Sequence, residues 1–405
     1  MVLALGLVSF LAWLHQSGRP VDASWRAGSA ATANPGGLPN PTSPGGIPNP
    51  TSPGTAGARK VSILGAGDVL AHPQVWEQAS RDAGGTGFDF FPMFAHVAPA
   101  ISGADLALCH LETPLAPMAG PYRGFPTFSV PPQVLDGLRR AGFDGCSTAS
   151  NHSLDQGEAG IARSVAAFKS AGLGHTGTFT SAADAGRLMI YDVHGVKVGH
   201  LSYTAHFNGL TPPAGKKWLA NRIDPAKITA AARQLRAGGA DIVVLSLHWG
   251  TEYRHAPDSS QLNWARQLTA VPGIDLILGH HAHVVQPFER IGDTWVVYGM
   301  GNELARHAEP IADNREGVMA RVTLTEATPG TWRVSTIEAI PTWTDLTPAI
   351  RLVDLSRALA EPGLPAADRP VYQGAYNRIR TYVLSRGGQD AGVVVVGGQP
   401  AGSGG

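Results

Sequence analysis

The sequence predicts an α/β fold in which two packed, mixed β-sheets are flanked by helices, and three observations carry that expectation. Short apolar runs bounded by Gly, Pro or charge recur through the middle of the chain, as strands covered on both faces do. Stretches with apolar residues three and four apart separate them, the spacing of helices that bury one face. Acidic, amide and histidine side chains follow the apolar runs, where an open α/β sheet places its site on loops held by stiff strands.

The first run, Val61 to Ala66 (VSILGA), leads into Gly67-Asp68, and Asp105 to Cys109 (DLALC) leads into Leu111-Glu112. Ile242 to Leu247 (IVVLSL) precedes His248, and Ile274 to Leu278 (IDLIL) precedes His281-Ala282-His283. Helices are expected over Pro132 to Ala141, Glu158 to Ala171, Pro225 to Ala237 and Ser260 to Ala270. Asp224 and Ser260 are the expected N-caps, since their side-chain oxygens can accept the free amides of a first turn. Alternation in Val318 to Leu324 predicts a hairpin, Gly317 to Thr325 with Thr331 to Ile337, completing a second sheet. Beyond Thr342, residues 343–386 read as accessory C-terminal helices, and 387–405 as a glycine-rich disordered tail.

The residues at these strand ends share one chemistry. A two-metal hydrolase needs a carboxylate bridging two cations, an amide oxygen, several imidazoles and a mobile His beside the leaving group. Asp68, Glu112, Asn151, His152, His248, His281 and His283 supply all of these in order. Each has a simpler reading when alone: Asp after Gly is usually a turn residue, and a single strand-end His a structural imidazole. The ordered set points instead to a metal centre. His175, His194, His200, His206, His255 and His307 lack such context and read as structural.

Longer motifs surround the set. They are Gly-Asp-Val-Leu at Gly67, His-Leu-Glu-Thr-Pro-Leu at His110, Ser-Asn-His-Ser-Leu-Asp-Gln-Gly from Ser150, His-Trp-Gly-Thr-Glu-Tyr from His248, Gly-His-His-Ala-His-Val at Gly279 and Tyr-Gly-Met-Gly-Asn ending at Asn302. Through them the chain from Val61 to Arg321 resembles the poly-gamma-glutamate capsule biosynthesis (CapA-type) family, a divergent branch of the calcineurin-like metallophosphoesterases. The resemblance implies a four-layer metallophosphoesterase-like sandwich holding one or two divalent metal ions (Mn, Fe or Zn). It places Glu112, Asn151, His248 and His281 on one metal, and Asp68, Glu112 and His283 on the other. It makes His152 a general acid or charge stabiliser, not a ligand. Mixed carboxylate, amide and imidazole ligands exclude an all-thiolate zinc site without choosing among these metals.

The chain departs from the pattern in places. Leu70 stands where ordinary metallophosphoesterases carry His, so one metal loses a ligand, and one tight site and one weak or substrate-completed site are expected. His72 is a substitute at hand, although a loop histidine is more often solvated. Glu112 replaces the bridging Asp of those enzymes, as in the capsule family, while His110 and Ala282 replace that family's usual Asn and Pro. Of the flanking residues, Asp155 either holds His152 or caps the following helix. Glu252 orients a ligand, grips a cationic substrate group, or is a solvated loop acid. Arg123, in a Gly- and Pro-containing loop, is the candidate for an anionic substrate.

Composition and the termini bound the rest. A formal net charge of +0 with 15% charged residues leaves no basic field for nucleic acid. Val2 to Leu14 is a continuous apolar run, short for a spanning helix and suited to a signal region, so residues 1–26 read as a signal peptide or membrane anchor. Residues 27–58 read as a spacer, in which GGLPNPTSP from Gly36 recurs as GGIPNPTSP from Gly45. This leaves 59–342 as the globular domain. Cys109 and Cys146 are expected as buried free thiols in preference to a disulfide. The function expected is that of a metal-dependent hydrolase in the cell envelope, extracytoplasmic and membrane-anchored or secreted. Its substrate would be an anionic polymer or phosphoester, and its partners other envelope polymer-synthesis proteins. The alternative is a noncatalytic polymer-binding or export component that keeps the fold.

Overall fold

The computed structural model describes residues 58–270, 272–307 and 311–397. The expected leader and all of the spacer but Ala58 lie outside them. Strands β1 (Lys60–Leu70), β2 (Leu106–Leu111), β3 (Gly145–Ser147) and β4 (Gly174–Thr176) run parallel in a first sheet. The chain then builds a second sheet from β5 (Ile190–Val193), β6 (Val196–Thr204), β7 (Ile242–His248), β8 (Leu276–His280), β9 (Phe288–Ile291) and β10 (Thr294–Val297). Its order is β5-β6-β7-β8-β10-β9, parallel from β6 through β10 with antiparallel edges. The chain returns to the first sheet through β11 (Asn302–Ala305), β12 (Glu316–Thr328), β13 (Thr331–Asp345), β14 (Arg351–Asp354) and β15 (Val393–Val395). The first sheet is ordered β14-β13-β12-β1-β2-β3-β4, with β11 beside the end of β1 and β15 on β13.

Apolar faces stack these sheets into layers. Ile63, Leu108, Val322, Val244 and Leu278 pack between the sheets. Gly65 permits the approach: a Cβ there would stand 2.6 Å from Leu278 Cδ1. Leu64 and Ala66, on the other face of β1, pack with Leu138 and Phe168 of outer helices, and Leu245 and Ile277 pack with Ile228 and Leu235. The result is helix, sheet, sheet, helix, the layering expected from the sequence. Fully burying an aliphatic side chain of this kind contributes roughly 1.5–3 kcal/mol.

The expected helices occur at Val134–Ala141, Gly157–Ala171, Pro225–Ala237 and Ser259–Thr269. Asp224 caps its helix by accepting from the amides of Ala226 and Lys227. Ser260 does not cap the last one. That role falls to Asp258, which forms a reciprocal capping box with Gln261.

Other expectations are corrected. The hairpin of β12 and β13 belongs to the first sheet, because β12 pairs antiparallel with β1 from Lys60 to Gly65. Alternation shows which face of a hairpin is buried and is silent about which edge it joins. The region read as accessory helices contains β14 as well as the helices Leu355–Ala360 and Asp368–Leu384. Tyr372, Tyr376, Ile379 and Val383 of the latter belong to the inter-sheet core, so this segment is part of the main body. Within the tail read as disordered, Val393–Val395 pair with Ile337–Ala339, while residues 398–405 lie outside the described residues. Cys109 and Cys146 are not free thiols. They sit opposite each other on β2 and β3, Cα atoms 4.4 Å apart, and form a disulfide. Among the described residues no helix is long and apolar enough to cross a membrane.

Candidate metal centre

Both sheets end at the same place. Asp68 lies near the end of β1, Glu112 directly follows β2 and Asn151 lies in the loop after β3. From the facing sheet come His248, the last residue of β7, His280, the last of β8, and then His281 and His283. The last two hold left-handed backbones at φ 88° and 56°, a conformation that costs a non-glycine residue energy and persists where the surroundings impose it. Gly279 is required just before them, since a Cβ there would fall 1.9 Å from Tyr298 O.

The six residues expected as ligands converge. Ligand atoms of Glu112, His248 and His281 lie within 4.8 Å of one another, as do those of Asp68, Glu112 and His283. Glu112 Oε1 is 3.8 Å from His248 Nε2 and 3.9 Å from His283 Nε2, which places it between the two groups. Two donors each about 2.1 Å from one ion stand roughly 3–4 Å apart, so these separations suit a shared cation. Asn151 Oδ1 is 3.0 Å from His248 Nε2.

The charges and the unpaired atoms fit a metal. Glu112 is 1% exposed, and neither carboxylate oxygen has a hydrogen-bond partner among the described residues. His281 Nδ1 is likewise buried and unpaired. An unpaired buried carboxylate is too costly to stand without a compensating charge. Burial, aided by the charge of Asp68 against the pull of His283, pushes Glu112 up to about 7. Burial also opposes the charge on Asp68, but hydrogen bonds from His280 and His283 outweigh it and hold its carboxyl well below the usual range. Burial would lower His283, yet Glu112 and Asp68 beside it push it up to about 10. Its proton balances the two acids, a role a cation would take over. Burial and the neighbouring histidines keep His248 neutral, and burial lowers His281 to about 3, so both offer the uncharged imidazole that a metal needs.

Leu70 is buried against apolar neighbours, so the Asp68 side has no ligand from that position. His72 does not replace it: its Nδ1 faces Leu70 O at 3.0 Å, and it belongs to none of the ligand groups. His152 Nδ1 lies 2.7 Å from Asp155 Oδ2, and Asp155 also accepts from the amide of Phe128. Asp155 therefore holds His152, and the helix that follows is capped at Gln156 with no side-chain bond. Phe128 meets the His152 ring edge-on at 4.7 Å. Glu252 is exposed at the rim, grouped with His281 and His283. Arg123 is exposed and pairs through its backbone with Ser129; among the described residues no hydrogen bond or ion pair joins its side chain to the site. His206 and His307, read as structural, stand at the rim, each 5.1 Å from the ring of a candidate ligand, His281 and His283 respectively.

Three site residues had no assigned role in the sequence. His280 Nδ1 is 3.1 Å from Asp68 Oδ1, and its ring stacks on His110 at 4.1 Å. His110 in turn contacts the candidate ligand His248. Asn302 Oδ1 lies 3.0 Å from His283 Nδ1 and so directs the other ring nitrogen toward Glu112. The motif ending at Asn302 was a usable signal for the last of these.

Residues 62–306 match the family model described as bacterial capsule synthesis protein PGA_cap. The capsule biosynthesis protein CapA of Bacillus anthracis is 28% identical over 252 residues, 60% of this chain and 59% of that protein. The PGA biosynthesis protein CapA of Bacillus subtilis is 31% identical over 172 residues, 41% of this chain and 43% of that one. The matches thus span less than two thirds of the length of either relative. Among solved structures, the calcineurin-like phosphoesterase YfkN of Bacillus subtilis is similar at 14% identity and a TM-score of 0.45, covering 79% of this chain and 99% of that one. Since the family match takes in more than half of the 405 residues, the chain belongs to the bacterial capsule synthesis protein family PGA_cap.

Proposed function

We propose that this protein is a metal-dependent hydrolase of the cell envelope, acting on a phosphoester or on an anionic polymer of the poly-gamma-glutamate kind. The observation that carries the reading is Glu112, buried with both oxygens unpaired and set between His248 and His283. Glu112, Asn151, His248 and His281 would hold one divalent ion, and Asp68, Glu112 and His283 a second, weaker one. When bound, such an ion supplies Lewis acidity toward a phosphoryl or acyl oxygen. Asp155 accepts from His152 Nδ1–H, which fixes the tautomer and leaves Nε2 to meet the substrate. Phe128 packs edge-on against that ring. Support for an extracytoplasmic place comes from the apolar run Val2 to Leu14 and from the Cys109–Cys146 disulfide, a bond that reducing cytosols disfavour. Recovery of the full-length protein wholly in the cytosolic fraction would contradict that placement.

One observation favours a second reading, a polymer-binding component without catalysis: Leu70 leaves the Asp68 side one ligand short. A panel of phosphodiesters, phosphomonoesters and gamma-linked glutamate oligomers, offered to the full chain with Mn²⁺ or Zn²⁺, separates the two. Metal-dependent turnover of one member is the expected result. Metal bound with no turnover of any member favours the binding component.

A further inference from the structure

We infer that His110 is a positioning residue that sets the tautomer of His248, through a hydrogen-bond ladder that reverses when the site takes a metal; this rests on the metal-site reading above. Its rungs are short and buried. Ser147 Oγ is 2.7 Å from His110 Nδ1, His110 Nε2 is 2.9 Å from His248 Nδ1, and His248 Nε2 is 3.0 Å from Asn151 Oδ1. All four residues are at most 2% exposed. With both nitrogens engaged, His110 has no lone pair left for a metal, although its ring lies beside Asp68 and His280.

Counting donors gives the ladder two states. In one, His248 Nε2–H donates to Asn151, His110 Nε2–H donates to His248 Nδ1, and the Ser147 hydroxyl donates to His110 Nδ1. In the other, His248 Nδ1–H donates to His110 Nε2, and His110 Nδ1–H donates to Ser147 Oγ. The Ser147 hydroxyl then turns to the carbonyl of Cys109, 3.4 Å away. Each side chain keeps its own number of protons, so the two states differ only in direction. In the second state His248 Nε2 and Asn151 Oδ1 face each other as two acceptors, which repel unless a cation lies between them. Metal binding selects that second state, and His110 makes it available by accepting from His248 Nδ1–H. Ligand histidines are commonly fixed through their other nitrogen in this way, and the loss of such a partner costs about 10–100-fold in metal affinity.

The test uses the full chain and Zn²⁺ alone. His110→Phe keeps the ring stacked on His280 but offers no acceptor, and the folded variant should bind Zn²⁺ about 10-fold or more weakly by calorimetry, its metal-free form melting lower because His248 Nδ1 and Ser147 Oγ lose a buried partner. His110→Gln, whose amide oxygen can occupy the Nε2 position, should recover most of the affinity. Nitrogen-15 NMR of the imidazoles should show His110 and His248 changing from Nε2–H to Nδ1–H on adding Zn²⁺, a measurement on the unmutated protein that stands even if a variant misfolds. Equal Zn²⁺ affinity in folded His110→Phe, or a His110 that remains Nε2–H with Zn²⁺ bound, overturns the inference alone. An unmutated protein that takes no Zn²⁺ overturns the metal reading and this inference with it.

Discussion

Around Glu112, Asn151, His248 and His281 the ligand positions are filled by groups that a metal can use, and His248 is held from behind by His110 and Ser147. Around Asp68 and His283 the arrangement is thinner. His283 is held by Asn302, but Asp68 spends one oxygen on His280 and the other on the amide of His281, and Leu70 supplies nothing. Two halves built on equivalent strand ends therefore differ in how many donors remain free. A metal site depends on the hydrogen bonds that orient and consume its ligands as much as on which residues are near, and here the orienting bonds serve one half better.

The largest expected effect comes from removing the better half. His248→Ala should abolish tight metal binding and activity together, because it deletes a proposed ligand and leaves Asn151 Oδ1 without its partner. Elemental analysis of the purified variant checks this. Retention of a full metal equivalent would show that the Asp68 half is the tight site and reverse the comparison. The unmutated protein should also melt higher with metal, by about 2.7 kcal/mol of added stability at a hundred times the dissociation constant.

Next in size is His152, the group proposed to touch substrate and not metal. His152→Ala should lower turnover about 10²-fold or more, the usual scale for a general acid, with metal content unchanged. Loss of metal in this variant would move His152 into the ligand set and make the better half larger still.

A gain of function probes the poorer half. Leu70→His places an imidazole where ordinary metallophosphoesterases have one, beside Asp68. The second equivalent of Mn²⁺ should bind roughly tenfold tighter, the lower end of what one well-placed partner contributes, while the first stays unchanged. Overpacking of the apolar neighbours of Leu70 costs about 1–3 kcal/mol, so melting is measured alongside titration. No change in the second equivalent of a folded variant would mean that the hydrogen bonds on Asp68, and not the missing histidine, weaken that half.

The same contrast shows what was legible in the chain. That Asp68, Glu112, Asn151, His248, His281 and His283 come together could be read because each stands in the last residues of a strand or in the loop after it, and local order carries that information. His110 and His280 could not, because their roles depend on β2 and β8 lying in different sheets whose ends face each other. Cys109 and Cys146 are 37 residues apart in sequence, and only the register of β2 on β3 sets them side by side. The strands and helices followed from apolar runs and helical spacing, and their stacking in four layers from the family resemblance. That β12 joins β1 did not, since the edge a hairpin finds is decided by the whole packed body.

The smallest effect lies at the rim. Glu252 is exposed, yet its charge registers on Glu112, His283 and His206, so it faces whatever enters the site. Solvent screens an exposed charge, which limits its influence. If the substrate is anionic, Glu252 opposes its approach, and Glu252→Gln should lower KM about two- to threefold at low salt with kcat unchanged. The difference should vanish above roughly 0.5 M salt, where the screening length falls below the distances involved. Both halves of the centre should keep their metal affinities, because Glu252 is not needed to complete either group of buried ligands. A KM that rises instead would show that the rim grips a cationic group, and the substrate would then carry an amine or be presented by a basic partner.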